Sequence, residues 1–224
     1  MNRMLTPIRD FLDVIRNRPA VHERIQYWAY APGLRRWCQS QHCEAVAERS
    51  DLYRFLVERE GLDGPIDYLE FGVSRGGTMR WWVENNRHPG ATFVGFDSFE
   101  GLPDAWGNWP KGSFSAGGSI PTIADERCSF VKGFFHETLP PWLVGRDFSR
   151  RTVLHLDADL YTSTLLVLTQ LLPKLKIDSI MIFDEFADPL HEYRAFRDAT
   201  AAYQRDFVPL CRAKGWTQVA LKAT

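Results

Sequence analysis

Ile66-Asp67-Tyr68-Leu69-Glu70-Phe71-Gly72-Val73-Ser74-Arg75-Gly76-Gly77-Thr78 reads as a buried strand that runs into a glycine turn and then a helix. The apolar run closes on an acid, Gly72 permits close backbone approach, and Gly76-Gly77 let the chain turn into a helix whose free amides attract an anion. The same grammar recurs downstream. Ala91 to Asp97, Cys128 to Gly133, Thr152 to Asp157 and Ser179 to Asp184 are further apolar runs of strand length, with helical periods around 77 to 86, 161 to 174 and 190 to 207. Such alternation needs crossover connections, so the fold class is α/β: a mainly parallel sheet with helices on both faces.

Upstream, residues 1 to 60 read as a helical extension and residues 61 to 224 as the main domain. Thr6 caps a first helix with Pro7 at its first position, and Leu5, Ile8, Leu12 and Ile15 recur at helical spacing until Arg18-Pro19. A second helix is expected from Val21 to Tyr30, closed by Pro32-Gly33, and a third from about Cys43 to Glu60, closed by Gly61. The stretch from Ser98 to Glu126 has no period and is rich in Gly, Pro, Ser and Trp, as lids and binding loops are.

The chain of 224 residues is 45% apolar and carries a net charge of −1 with both signs dispersed. It lacks the basic footprint of a nucleic-acid or anionic-membrane binder, and no apolar run is long enough to span a bilayer. With no signal-peptide pattern at the start, a cytoplasmic location is expected. Cys38 and Cys43 flank His42 without a C-x-x-C pair, so the four cysteines read as free thiols.

Open parallel sheets bind ligands beyond the carboxyl ends of their strands. Here those ends are polar. Gly72-x3-Gly76 departs from the dinucleotide fingerprint, while Glu70 ahead of the turn suits a cationic group such as an amino acid's amine. Asp97 closes the next strand, where a carboxylate accepts from ribose hydroxyls; together they suggest a nucleoside site. Gly133 with Phe134 and Phe135 closes a third strand and offers an aromatic wall.

Asp157 and Asp184 lie one strand-helix-strand unit apart and so belong on neighbouring strands, about 4.8 Å from each other. With Glu185 they would repel one another and take up protons unless a cation lay between them, and all-oxygen donors select Mg²⁺, Mn²⁺ or Ca²⁺. Asp159 is expected to cap the helix that starts near Tyr161.

The succession Tyr68-Leu69-Glu70-Phe71-Gly72-Val73, Gly95-Phe96-Asp97-Ser98-Phe99-Glu100-Gly101-Leu102-Pro103, Lys132-Gly133-Phe134-Phe135 with Thr138-Leu139-Pro140, Leu156-Asp157-Ala158-Asp159-Leu160-Tyr161 with Ser163-Thr164, and Phe183-Asp184-Glu185 resembles the macrocin and mycinamicin sugar O-methyltransferase family. The resemblance runs from about 66 to 186. It implies a Rossmann-like class I S-adenosylmethionine-dependent methyltransferase sheet behind the N-terminal helical extension, metal dependence on Mg²⁺ or Mn²⁺, a homo-oligomer, and a glycosylated or related small-molecule hydroxyl acceptor. By position it implies that Glu70 and Gly72 hold the methionine and ribose part of the cofactor, that Asp97 holds the ribose, and that Gly133 and Phe134 border the adenine. Ser74, Gly76 and Thr78 of the turn and Ser98 after Asp97 complete the candidate cofactor contacts. Asp157, Asp184 and Glu185 look like the metal ligands, with Asp157 also the catalytic base. The family more often has two aspartates where this chain has Asp184-Glu185, and residues 187 to 193 lack its glycine-bearing pattern.

His155 is a candidate proton relay, on the same side of its strand as Asp157, while His136 and His191 are candidate acceptor contacts. Trp106 and Trp109 on the long loop suit stacking on a sugar or aglycone, and Trp81 and Trp82 read as core or subunit contacts. Two rival readings use the same residues. Asp157-Ala158-Asp159 is also the D-x-D of a metal-dependent glycosyltransferase, and a non-catalytic cofactor-binding subunit would keep the same fold.

Overall fold

A computed structural model describes residues 19–224. The helix expected over Leu5, Ile8, Leu12 and Ile15 lies outside the described residues. The described chain begins in α1 (Pro19–Ser40) and continues through β1 (Glu44–Val46), α2 (Arg49–Glu60), β2 (Ile66–Phe71), α3 (Gly77–Asn85), β3 (Thr92–Asp97) and β4 (Cys128–Lys132). It then forms α4 (Phe135–Leu143), β5 (Arg151–Leu156), α5 (Tyr161–Leu171), β6 (Ile180–Phe183), α6 (Glu192–Tyr203), β7 (Phe207–Ala213) and β8 (Gln218–Ala223).

The strands form one sheet in the order β1-β7-β8-β6-β5-β2-β3-β4. All neighbours are parallel except β8, which runs antiparallel to both β6 and β7. From β2 the chain moves outward through β3 to β4, then returns to lay β5 on the other side of β2. That reversal opens a crevice between the carboxyl ends of β2 and β5, where open sheets place their ligands.

Both faces of the central strands are buried, which is why they read as unbroken apolar runs. Leu69, Phe71, Leu154, Leu156, Met181 and Phe183 pack with Leu139 of α4, Val167 and Leu168 of α5, and Phe196 of α6. The alternate residues Ile66, Tyr68, Val153, Ile180 and Ile182 pack with Leu52, Tyr53 and Leu56 of α2 and with Met79, Trp82 and Val83 of α3. Trp82 is fully buried, a core residue as expected.

Three expectations need correction. Pro32-Gly33 does not end the second helix: α1 runs on to Ser40, because Leu34 and Trp37 beyond the proline pack against the core, with Trp37 5.1 Å from Phe186. Burial of that last turn outweighs the lost backbone hydrogen bond. The expected helix from Cys43 to Glu60 is shorter, since Glu44–Val46 pairs with Cys211–Ala213 of β7 as an edge strand. Its helix starts at Arg49, where the Asp51 carboxylate accepts the Glu48 N–H, and ends at Gly61, whose φ of 67° suits glycine. The helix expected from 190 to 207 spans only Glu192–Tyr203. The remaining chain makes the hairpin of β7 and β8, turned at Lys214 and Gly215 with positive φ.

Residues 44–60, grouped by sequence with the helical extension, are therefore joined to the sheet through β1 and α2. On α1, Ile25, Tyr27 and Trp28 stand 41%, 45% and 65% exposed. Among the described residues no helix is long and apolar enough to cross a membrane.

Candidate active site

A cleft of about 520 Å³ opens over the carboxyl ends of β2, β3 and β5. Gly72, Ser74, Asp97, Ser98, Phe134, Asp157 and Glu185, all singled out by sequence, line it. Trp106 and His136 line it as well, with Phe114, Phe135, Asp159, Thr162 and Ser163. Glu70, Gly76, Thr78, Gly133, Asp184, Trp109, His155 and His191 are not among its wall residues.

The first wall is built by the strand ends continuing their ladder: Gly72 N–H donates to Phe96 O at 3.0 Å and Gly133 N–H to Asp97 O at 3.0 Å. Asp97 then pins the turn after β2. Its Oδ2 accepts from Val73 N at 2.8 Å and Ser74 N at 2.7 Å, and its Oδ1 from Phe99 N at 2.7 Å. A carboxylate has about four acceptor positions. Three are taken by main-chain amides, so about one remains for a ligand hydroxyl. Phe134 closes this wall beside His136, their rings stacked at 6.0 Å. Gly76, with φ 75°, packs on Pro121 of the long loop rather than facing the cleft.

Glu70 lies beneath the floor. It is 1% exposed and sits opposite His155 across the β2–β5 pair, on the face covered by α2 and α3. The Tyr68 hydroxyl donates to its Oε2 at 2.9 Å and contacts His155 Nδ1 at 2.7 Å, while the Tyr53 hydroxyl lies 3.3 Å from His155 Nε2. One assignment of hydrogens satisfies this chain: Tyr53 donates to Nε2, Nδ1–H donates to Tyr68, and Tyr68 donates to Glu70. It requires a neutral imidazole, and burial indeed pushes His155 down to about 3, with the Arg49 charge adding to the effect. Burial pushes Glu70 up to about 8, against the Tyr68 hydrogen bond and the Arg49 charge. His155 is thus a buried neutral strut, turned into the α2/α3 core.

The opposite wall carries the acids. Asp157 N–H donates to Phe71 O at 2.9 Å and Asp184 N–H to Leu156 O at 3.1 Å, so both stand at one rim of adjacent strands as their spacing suggested. Gln218 Nε2 steadies the Asp184 carbonyl at 3.1 Å. The cation between them is Arg49, the first residue of α2. Its Nη1 donates to Asp184 Oδ1 at 3.1 Å and Oδ2 at 3.0 Å, and lies 4.0 Å from Asp157 Oδ2. Burial holds Asp157 well above the usual carboxylate range, with the Asp184 and Asp159 charges adding to the shift and Arg49 opposing it. Glu185 is pushed up to about 6 by burial, then by Asp184 and Asp188.

Asp159 was expected to cap α5, and does not. The N-cap is Leu160, and Asp159 stands in the left-handed region at φ 56°, on the cleft wall. Burial, with Glu185 and Asp184 near it, pushes it up to about 7. The sequence marks it as a helix cap, as part of the D-x-D spacing and as part of the motif Leu156-Asp157-Ala158-Asp159-Leu160-Tyr161, none of which gives it a place on the cleft wall. Behind the acids Glu192 is fully buried, burial holds its carboxyl well above the usual carboxylate range, and its Oε2 accepts Glu185 N–H at 2.8 Å. No sequence signal marked Arg49 or Glu192.

The mouth is formed by the long loop, which is well organised. Gly101 allows the Ser113 carbonyl to pass close by, Leu102 N–H donates to Ser113 O at 2.9 Å, and Trp106 and Trp109 exchange main-chain bonds of 2.8 Å. Trp106 Nε1 reaches Asp188 Oδ2 at 3.4 Å, tying the loop to the segment after β6. His191 accepts Tyr161 N–H at Nδ1, 3.2 Å, behind Trp106.

For the expected ligand trio Asp157, Asp184 and Glu185, the donors are hard oxygens but the arrangement does not fit a divalent ion. Both Asp184 oxygens already accept from the Arg49 guanidinium, and among the described residues no three acids, histidines or cysteines converge as metal ligands do. For a nucleoside-bearing sulfonium cofactor the cleft does fit: a carboxylate with an open position, an aromatic wall and anionic groups share one concave space.

Residues 121–206, which hold β4 to β6 and the acids, match the family model described as Macrocin-O-methyltransferase (TylF). The chain is 29% identical to the 8-demethyl-8-(2,3-dimethoxy-alpha-L-rhamnosyl)-tetracenomycin-C 4'-O-methyltransferase of Streptomyces olivaceus, over 71% of this chain and 70% of that protein. It is likewise 29% identical to mycinamicin III 3''-O-methyltransferase of Micromonospora griseorubida, over 72% of this chain and 68% of that one. The fold resembles that of the O-methyltransferase NovP with a TM-score of 0.59 and 25% identity, covering 78% of each chain. These are methyltransferases, and with them the glycosyltransferase reading of Asp157-Ala158-Asp159 is set aside. The match to the family model on the strands that carry the acid wall, and the O-methyltransferases found by sequence and by fold, make the chain an S-adenosylmethionine-dependent O-methyltransferase similar to the macrocin O-methyltransferases.

Proposed function

We propose that this cleft transfers a methyl group from S-adenosylmethionine to a hydroxyl of a glycosylated natural product. The observation that carries this reading is the division of one cleft into two chemistries: Gly72, Asp97 and Phe134 on one wall, and Asp157, Asp159 and Glu185 on the other. The relatives' names, which specify a rhamnosyl tetracenomycin and mycinamicin III, support a sugar-bearing acceptor. The exposed Ile25, Tyr27 and Trp28 of α1 support a homo-oligomer.

When bound, the cofactor supplies an electrophilic methyl on a positively charged sulfur. Asp97 offers its open acceptor position to a ribose hydroxyl, and Phe134 walls the base; Ser74 and Ser98 lie beside them on the same wall. Glu70, Gly76, Thr78 and Gly133 act one layer back, shaping the turns that carry these groups. Asp159 accepts the acceptor's proton: its affinity near pH 7 suits a general base, and it strengthens as the neighbouring positive charge is lost in the transfer. Asp157, the base expected from sequence, is itself raised well above the usual carboxylate range by burial and by the Asp184 and Asp159 charges, and the role of base passes to Asp159. Trp106, Phe114 and His136 form the acceptor's side of the mouth. No step is routed through Mg²⁺ or Mn²⁺, because Asp184 is committed to Arg49.

The test is incubation with labelled S-adenosylmethionine and a panel of glycosylated hydroxyl compounds, scored by mass spectrometry for products heavier by one CH₂. Formation of such a product, lost in Asp159→Asn, is expected. Failure of the protein to bind S-adenosylmethionine or its demethylated product would overturn the reading.

A further inference from the structure

Arg49 stands where the sequence called for a divalent cation. It opens α2, so its charge sits at the positive end of a helix, a position unfavourable to a cation. The cost is offset by what the side chain reaches. One guanidinium nitrogen contacts both oxygens of Asp184, whose side chain is 9% exposed, and lies 4.0 Å from Asp157. A divalent ion would need those same oxygens at about 2 Å, beside a guanidinium that already takes an acceptor position on each and repels a second cation. Among the described residues no second cation bonds these acids: Asp159 and Glu185 face the cleft without a side-chain hydrogen bond, Lys214 acts on Glu185 only through its charge, and the Oε1 of buried Glu192 behind them is also without a partner.

We propose that Arg49 is the resident counter-ion of the Asp157–Asp184 pair and excludes divalent metal from it, so that guanidinium and metal are alternative occupants of one position. α2 belongs to the segment before the strand-and-turn motif, outside residues 121–206. Whether the acid rim takes a metal is thus decided by a residue remote in sequence from the acids themselves.

Mn²⁺ titration of the full chain, read by electron paramagnetic resonance of the free ion, tests this without acceptor or cofactor, so its outcome is independent of the methyl-transfer reading. Wild-type protein is expected to bind Mn²⁺ weakly, and Arg49→Gln about tenfold more tightly or better, since a unit positive charge about 4 Å away is removed. Adding Asp184→Asn to Arg49→Gln is expected to abolish the gain. Should Arg49→Gln fail to fold, Arg49→Lys, which keeps the charge but loses the fork, is read in its place with a gain of about threefold. Tight Mn²⁺ binding by the wild type, or no gain in the variant, overturns the proposal.

Discussion

Gly72 and Asp157 meet through their main chains: a Cβ built on Gly72 would lie 1.8 Å from the Asp157 carbonyl oxygen. The glycine that ends β2 is therefore what lets the acid-bearing end of β5 come alongside the turn that Asp97 pins. Its φ of 94° also lies where side chains are strained. Gly72→Ala is expected to cost roughly 3 kcal/mol or more, because backbone rather than a flexible side chain must move. That corresponds to a fall in Tm of about 6–12 °C. Calorimetry checks it, and an alanine variant melting within 2 °C or so of wild type would show that the strand ends separate easily.

The buried Glu70–Tyr68–His155 chain sets a pH dependence of stability. Glu70, raised from 4.5 to about 8, contributes stability that is full below 4.5 and is lost as pH rises through 8. His155, lowered from 6.5 to about 3, contributes stability that is full above 6.5 and is lost as pH falls towards 3. Between 4.5 and 6.5 the two oppose each other. Above 6.5 Glu70 acts without that opposition, and the folded state holds one proton that the unfolded state has released. Stability should therefore fall by about 2 kcal/mol from pH 6.5 to 8 on account of Glu70. Glu70→Gln keeps the acceptor for Tyr68 and should remove that part of the slope; identical slopes in both proteins would refute the assignment.

Asp159, at about 7, must be ionised to take a proton, so kcat is expected to rise with pH and level off above about 7. Asp159→Asn should lower kcat by about 10²–10⁴-fold and leave cofactor affinity close to wild type. Glu185→Gln, by removing the first of the acids that raise Asp159, should shift the rising limb to lower pH. A rising limb that survives intact in Asp159→Asn would move the base elsewhere.

Trp106 ties the mouth loop to Asp188 while presenting its ring to the cleft. Trp106→Ala should raise the acceptor's KM about tenfold, the loss typical of an aromatic contact surface. Affinity for the demethylated cofactor, measured by calorimetry, should change by less than about twofold. Equal loss for both ligands would mean that the loop orders the whole cleft.

The amino-acid sequence by itself determined the strand–turn–helix alternation, the parallel sheet, the strand-end acids Asp97, Asp157 and Asp184, and the family resemblance, because each is encoded in local apolar periods and in residues that close them. Its failures share one cause. The helix through Pro32, the edge strand at Glu44–Val46 and the final hairpin are stabilised by partners distant in the chain, and local propensity carries no record of them. The same holds at the acid rim. That two carboxylates would need a cation between them was evident from charge and spacing; that the cation would be Arg49 depended on α2 packing across the sheet to bring a guanidinium 135 positions along the chain to Asp184, a contact only the tertiary structure makes.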